Sequence, residues 1–410
     1  MNKTQAVTTV LLNASFLENR ATELGIKQWW LAEQLNVSSR TVLRWMNGQV
    51  TRIQADHVHG LARCLDCALE ALILEDESAV YASARDQVEA AQLVQEENLL
   101  EALTPTSSYA LAESLIRATL HPNVSLPVLG RLYNLLSMAA ARQFALPRAQ
   151  SYAEKALAFG RRIDNQAIVV GARYNLGWVD LYASRITSAI EQFRFCLDNH
   201  RFLEDERAEA QAWFSLGAAL GFLGEYDRGV DALERSAVLL ESMDAPLDLS
   251  MSTFVLGAYR LELGQLDLAD QIFERSMGTA SKRGWVSGIE RARAGRAMIT
   301  ALRGEVDAAY AAFERCLAAL SGEPFVHPVV YRYGARIACL AGDSVRAFTW
   351  LENGMVYAER FKAEKAFIFL DLARCHAQSG ASLMADKYFA EADLLLREMG
   401  ATKVAEASQG

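Results

Sequence analysis

Within SRTVLRWMN, residues 39–47, Arg40 and Arg44 stand four apart. On a helix that spacing puts both guanidiniums on one side, with the hydroxyls of Ser39 and Thr41 beside them. Such a face donates hydrogen bonds to anions. Arg40 can make a bidentate pair with a guanine edge, worth roughly 1–3 kcal/mol of discrimination. It can equally contact phosphate alone, as half or more of such groups do. Arg332 and Arg336 repeat the four-residue spacing far along the chain. Cys64 and Cys67 form one CxxC, with no second pair to complete a zinc site. The six histidines are scattered, and neither they nor the carboxylates form a metal motif. There is no phosphate loop and no nucleophile elbow, so an enzyme is the least supported class and no cofactor is expected.

These groups must be positioned by a chain of 410 residues, enough for several folding units or one repeat array. It is 51% hydrophobic and 22% charged, and no run of 18 apolar residues suggests a membrane span. The opening MNKTQAVTTVLLNASF only imitates a signal peptide, since cleavage there would cut into a helix the next domain needs; a cytoplasmic location is expected. The six cysteines are spread along the chain and read as reduced, packed thiols. Net charge is −9, unevenly spread. Residues 1–63 hold seven cations against four anions, a net +3, which leaves −12 for the remainder. A mildly basic head on an acidic body suits an anion-binding module joined to a part that does not bind nucleic acid.

The body is repetitive. Small residues recur at Ala149, Ala189, Gly229, Ala269, Ala309, Ala347 and Ala385, at intervals of 40 or 38. Four residues after each comes a packing residue: Ala153, Phe193, Leu233, Phe273, Phe313, Leu351 and Phe389. Five before each of the last five is a turn glycine (Gly224, Gly264, Gly304, Gly342, Gly380), where the first two repeats have Phe144 and Ser184. Twelve before each is another small residue, Ser137, Gly177, Gly217, Gly257, Ala297, Ala335 and Ala373. This pattern predicts seven helical hairpins whose two helices cross closely at the small residues. One hairpin cannot bury its apolar face, so the seven must stack.

WFSLGAALGFLGEYDRGVDALERS, residues 213–236, resembles the tetratricopeptide repeat: Trp213, Leu216, Gly217, Leu220, Gly229 and Leu233 stand at its signature positions. Arg296 and Gly334 replace the leucine of that pattern in repeats five and six. Residues 85–119 read as a further degenerate hairpin with a Pro-Thr-Ser link at 105–108, and the tail after Gly400 as frayed.

Residues 14–73 read as five short helices: FLENRATELG, KQWWLAEQL, SRTVLRWMN, QADHVHGLARCL and ALEALI. Gly25 closes the first, Ser38 can cap the third and Gly48 ends it. Leu31, Ala32, Leu35, Val37, Val42 and Trp45 supply a helix-turn-helix core. With Gln28, LAEQLNVS, Val42, Arg44-Trp45 and Asn47-Gly48, the segment resembles the lambda-repressor-like, XRE-type helix-turn-helix. The resemblance implies that the third helix enters the major groove, with Ser39, Arg40, Thr41 and Arg44 outward, and that Gln28 and Asn47 hold phosphates. Gln49 and Arg52 read as further phosphate contacts or as a solvated loop. A head of only +3 makes few such contacts, so a homodimer on a two-fold operator of double-stranded DNA is expected. Cys64 and Cys67 fall where small core residues belong, and packing is the simpler reading than redox sensing.

The organisation expected is therefore all-α. Residues 1–75 form the helix-turn-helix, 76–128 linker helices, 129–400 a right-handed solenoid of seven or eight hairpins that senses and dimerises, and 401–410 a tail. Head and array together resemble the peptide-responsive Rgg, PlcR and PrgX (RRNPP) regulators, in which the array takes a short signalling peptide in its concave groove. The inward positions of the first helices would be Asn134, Arg142, Tyr174, Asn175, Trp178, Phe214, Phe254, Met298, Arg332, Tyr333, Arg336 and Arg374. Asn134 and Asn175 could bracket a peptide backbone. Arg332, Arg336 and Arg374 suggest a partner carboxylate, or else pairing with Asp371, and the aromatics suggest pockets or packing between repeats. A protein or small effector, as in the similar-length repeats of MalT-like activators, and a pure interaction scaffold are the alternatives. Trp29 and Trp30 both fall off the inward face, which calls for an interface or for wrapping over the first helix.

Overall fold

The computed structural model describes residues 9–67, 69–73, 109–120, 124–203, 205–243, 245–321, 327–359, 361–402 and 404. The chain divides into two compact units, one of residues 1–89 with 117–123 and one of 90–116 with 124–410. Most of the expected hairpin at 85–119, its link at 105–108 and most of the tail lie outside the described residues.

In the first unit, strand β1 (Thr9–Leu11) pairs antiparallel with β2 (Arg52–Gln54), Val10 opposite Ile53. Helices α1 (Ala14–Glu23), α2 (Gln28–Gln34), α3 (Ser39–Met46) and α4 (Ala55–Cys64) surround Leu17, Leu31, Val42, Trp45 and Leu61. The sequence predicts a fifth helix at ALEALI and an all-α head. Residues Leu69–Leu72 instead form a 3-10 turn, and the N-terminal apolar run supplies β1. Strands of three residues are too short to show alternation, so only their pairing reveals them. Asn13 accepts from the Phe16 amide at 3.1 Å to start α1, and Gly25 ends it at φ +65°.

In the second unit, α5 (Tyr109–Ala118) precedes seven hairpins. They are α6–α7 (Leu126–Arg142, Leu146–Arg162), α8–α9 (Gln166–Tyr182, Ile186–Asp198), α10–α11 (Glu206–Phe222, Tyr226–Glu241), α12–α13 (Pro246–Glu262, Leu266–Ser281), α14–α15 (Val286–Leu302, Val306–Ala319), α16–α17 (Pro328–Leu340, Ser344–Ala358) and α18–α19 (Lys362–Gln378, Ser382–Glu398). None of the described helices is long and apolar enough to cross a membrane.

The repeat signature has a direct steric meaning. A Cβ on Gly177 would stand 2.5 Å from Phe193, and one on Gly257 would stand 2.9 Å from Phe273, so the first helix must lack a side chain where the second helix's phenylalanine presses. Phe193, Phe273 and Phe313 are fully buried. Gly334 departs from the leucine pattern for the same reason: a Cβ there would lie 2.2 Å from Phe313 of the preceding repeat. Arg296 reaches Asp270 on α13 at 2.7 Å. Both of these helices form in full.

The turn glycines take φ between +73° and +93°, and Phe144 and Ser184 take φ +56° and +61° at the equivalent places. A side chain in that region costs on the order of 1 kcal/mol. Ser184 also buries a hydroxyl with no hydrogen-bond partner. Ser184→Gly is therefore expected to stabilise the chain by about 1–2 kcal/mol, read as a higher urea midpoint at unchanged slope; an unchanged or lower midpoint would refute the strain.

Repeat seven comes round onto repeats two and three. Ala363, Phe367, Leu370, Leu396 and Met399 share one core with Leu181, Ile190, Leu216 and Leu220. The rings of Phe222 and Phe361 lie 5.1 Å apart. Cys339 on α16 and Cys375 on α18 are joined as a disulfide, with Cα atoms 6.0 Å apart, whereas Cys64, Cys67, Cys196 and Cys316 are free. This corrects the expectation of six reduced thiols. The two positions are 36 residues apart, close to one repeat, and stacking sets them side by side on neighbouring first helices.

Candidate nucleic-acid interface and effector groove

The sharp turn between α2 and α3 is made by Asn36 at φ +52°. Ser38 then caps α3, its Oγ accepting from the Thr41 amide at 3.0 Å and lying 2.7 Å from the Thr41 hydroxyl. The Thr41 side chain thus serves the cap as well as the outward face. Val42 and Trp45 anchor α3 in the core, with the Trp45 ring 5.3 Å from that of His57. This leaves Ser39, Arg40 and Arg44 exposed on the opposite side. Neither arginine has a carboxylate partner among the described residues. Leu43 is 40% exposed between them, an apolar group the sequence reading passed over because Val42 occupies the buried position beside it. It suits a thymine methyl.

Gln28 opens α2 half-buried, and Asn47 and Gln49 are exposed just past α3. Arg52 is exposed on β2, not in a loop. Trp30 packs on the core of the first unit, while Trp29 is 59% exposed. Cys64 and Cys67 pack on the same core, and burial raises both thiols above their ordinary range.

In the array, the candidate groove residues are mostly bonded to one another. Asn175 donates through Nδ2 to the Asn134 carbonyl oxygen at 2.9 Å, and Asn134 donates to the Ile168 carbonyl at 3.2 Å. The Tyr174 hydroxyl lies 3.2 Å from Ser215 Oγ. Arg142 lies 5.0 Å above the Trp178 ring and donates to the Tyr182 hydroxyl. The Trp178 indole N–H is covered and has no hydrogen-bond partner. Phe214 packs beside Val230, Leu233 and Leu256, and Phe254, Met298 and Tyr333 are buried in the core.

Arg332 and Arg336 donate to the two carboxylate oxygens of Asp371 at 2.7 and 2.9 Å, and Arg374 to the same residue at 3.3 Å. Arg336 also reaches Glu262 on α12 at 2.8 Å, spanning two repeats. Burial alone would raise the Asp371 carboxyl, but Arg336, Arg332 and Arg374 outweigh it and hold it at about 2. Of the two readings open for these arginines, the geometry matches pairing with the protein's own acids. Sequence reading passed over three further groups: Glu262, Arg291 and His327. Glu262 meets Arg336 only through the packing of several repeats, for which single-repeat spacing carries no signal, whereas Arg291 falls on the Met298 side of its helix by the helical period. Among the described residues no cluster of His, Cys, Asp and Glu could hold a metal.

Residues 17–74 match the family of Cro/C1-type HTH DNA-binding domains. No curated protein matches the sequence. The fold is similar to that of a Rap protein solved in complex with Competence and Sporulation Factor (TM-score 0.58, 11% identity, covering 80% of this chain and 95% of that one). It is also similar to the apo form of the quorum sensor NprR from B. thuringiensis (TM-score 0.53, 12% identity, 92% and 99%). A third likeness is to the Rap conjugation gene regulator of plasmid pLS20 in complex with the Phr* peptide (TM-score 0.50, 13% identity, 76% and 85%). At these identities the likeness is one of fold. The chain thus carries a Cro/C1-type helix-turn-helix domain at residues 17–74 and a tetratricopeptide-like solenoid with the fold of the Rap and NprR proteins.

Proposed function

We propose that the chain is a sequence-specific DNA-binding transcriptional regulator whose array takes an effector, a short signalling peptide, and that it works as a homodimer on a two-fold operator. The observation that carries the DNA reading is the outward face of α3, where Arg40 and Arg44 stand exposed, without acid partners among the described residues, in a Cro/C1-type domain. Lysine and arginine side chains left unpaired in this way can neutralise phosphates and read base edges. Gln28, Ser39, Asn47, Gln49 and Arg52 would position the duplex. Dimerisation brings two weakly basic heads onto adjacent half-sites.

The peptide reading is supported by the likeness of the array to two proteins solved with bound factor or peptide. A protein or small molecule as effector is the second reading, favoured by the groove asparagines being bonded to each other and not left open. Selection from randomised duplexes should return a two-fold site bound by the full chain, and native mass spectrometry of protein purified from its own host should show a peptide-sized adduct. Selection that enriches no site would overturn the DNA reading. A stoichiometric adduct of non-peptide mass would replace the peptide with the second reading.

A further inference from the structure

Among the array's arginines that are not exposed, Arg173, Arg207, Arg260, Arg296, Arg332 and Arg336 each donate to a side-chain oxygen. Arg291, near the start of α14, does not. Its Nε is covered and has no hydrogen-bond partner, and no carboxylate of the described residues pairs with it. A half-buried cation without an acid is costly, and an acidic array could easily have supplied one.

The surroundings are built to keep the charge in place. The guanidinium carbon lies 4.9 Å from the Phe254 ring on α12 and 4.9 Å from the Trp285 ring at the head of α14. The Trp285 ring can lie there because Gly288 has no side chain: a Cβ would stand 2.3 Å from it. The two π faces hold a cation by attraction to their negative faces while leaving its donors unspent. Arg291 stands seven residues before Met298, so both belong to one side of α14, the side the repeat register gives as inward; Met298 is buried in the core there, whereas Arg291, a turn or two nearer the helix start, is only half-buried.

His327 on the neighbouring repeat is pushed down to about 3 by burial, with Arg291 and Arg332 adding to the effect, so it is a neutral imidazole there. Asp371 is held by Arg332, Arg336 and Arg374, and Glu364 interacts electrostatically with Arg332. Among the described residues, Asp371 and Glu364 thus face other arginines.

We propose that Arg291, clamped between Phe254 and Trp285, is the anchor for a carboxylate of the array's effector, with the half-buried Trp285 ring receiving the apolar part next to it. The three-arginine cluster on Asp371 is instead structural. This inference rests on the reading that the array takes a ligand. Arginine meets a carboxylate with two parallel hydrogen bonds, and an uncommitted guanidinium has both available.

The test uses the full chain, with glutarate and inorganic phosphate as probes against chloride at constant ionic strength. Glutarate is expected to raise the melting temperature saturably in the wild type. In Arg291→Met and Arg291→Gln the half-saturating concentration should rise at least tenfold, while the melting temperature without anion stays equal or higher. Three results would overturn the assignment: no glutarate response in the wild type, an undiminished response in both variants, or a response to phosphate with none to glutarate. Operator affinity is measured on the same samples. A host-derived effector that shifts operator affinity equally in wild type and Arg291→Met removes the site and leaves the regulator standing. Arg291-dependent glutarate binding with an operator affinity that no effector moves leaves the site and removes the regulatory reading.

Discussion

Arg40→Ala combined with Arg44→Ala should weaken binding to a selected operator on the order of 100-fold or more, because each bidentate base contact is worth about 1–3 kcal/mol. The loss should come without unfolding. Both side chains are exposed and have no ion-pair partner among the described residues, and substitutions at such sites usually change stability by less than about 0.5 kcal/mol. The single variants separate the two contacts open to Arg40. If it reads a guanine, Arg40→Ala relaxes preference at one base pair of each half-site. If it holds phosphate, binding falls uniformly across sequences and the slope of log affinity against log salt drops by roughly 1 per lost contact. An operator affinity unchanged in the double variant would remove α3 from the groove, and with it the whole head assignment.

Asp371→Asn should be the most damaging conservative change in the array. The Asp371 side chain has no exposed surface, and those of Arg332 and Arg336 are 12% and 19% exposed. Removing the carboxylate charge leaves Arg332 without its ion-pair partner and Arg336 with Glu262 alone; losing one partner of a buried pair costs about 3–5 kcal/mol. The expected result is a large fall in the urea midpoint. The acid limb gives a second readout. The folded carboxyl sits at about 2 against an ordinary 3.8, so it is depressed. Its contribution, about 2 kcal/mol, is complete above roughly pH 4, is lost as pH falls through about 2, and is absent below. Asp371→Asn should lack that part of the acid dependence. A variant with the wild-type midpoint would show that the arginines are held by other groups.

Both results bear on how the array keeps its form. Several of its polar links join neighbouring first helices at separations near 40: Arg142 with Tyr182, Tyr174 with Ser215, Asn175 with Asn134, Arg332 with Asp371. The period was readable, so the pairing of Arg332 and Arg336 with Asp371 was among the readings the residues allowed. The Cys339–Cys375 link follows the same geometry, but scattered cysteines read singly carry no sign of it. The short strands β1 and β2 left no periodic trace either, since three residues cannot show a period of two.

Trp29 and Trp30 show how far local pattern reaches. The helical period placed both off the inward face of α2. Packing then separated them: Trp30 joins the head's core and Trp29 stays largely exposed, as an interface residue would.

The amino-acid sequence by itself determined the helix-turn-helix, its caps and its outward arginines, and seven hairpins with the small residues on which they cross. These depend on contacts within a few residues or within one hairpin, where helical period and steric fit leave little choice. Only the tertiary structure decided what seven hairpins do together. Small rotations between repeats add up, bringing repeat seven onto repeats two and three and carrying Arg336 past one repeat to Glu262. Packing between repeats also set Arg291 between two rings with no carboxylate partner among the described residues.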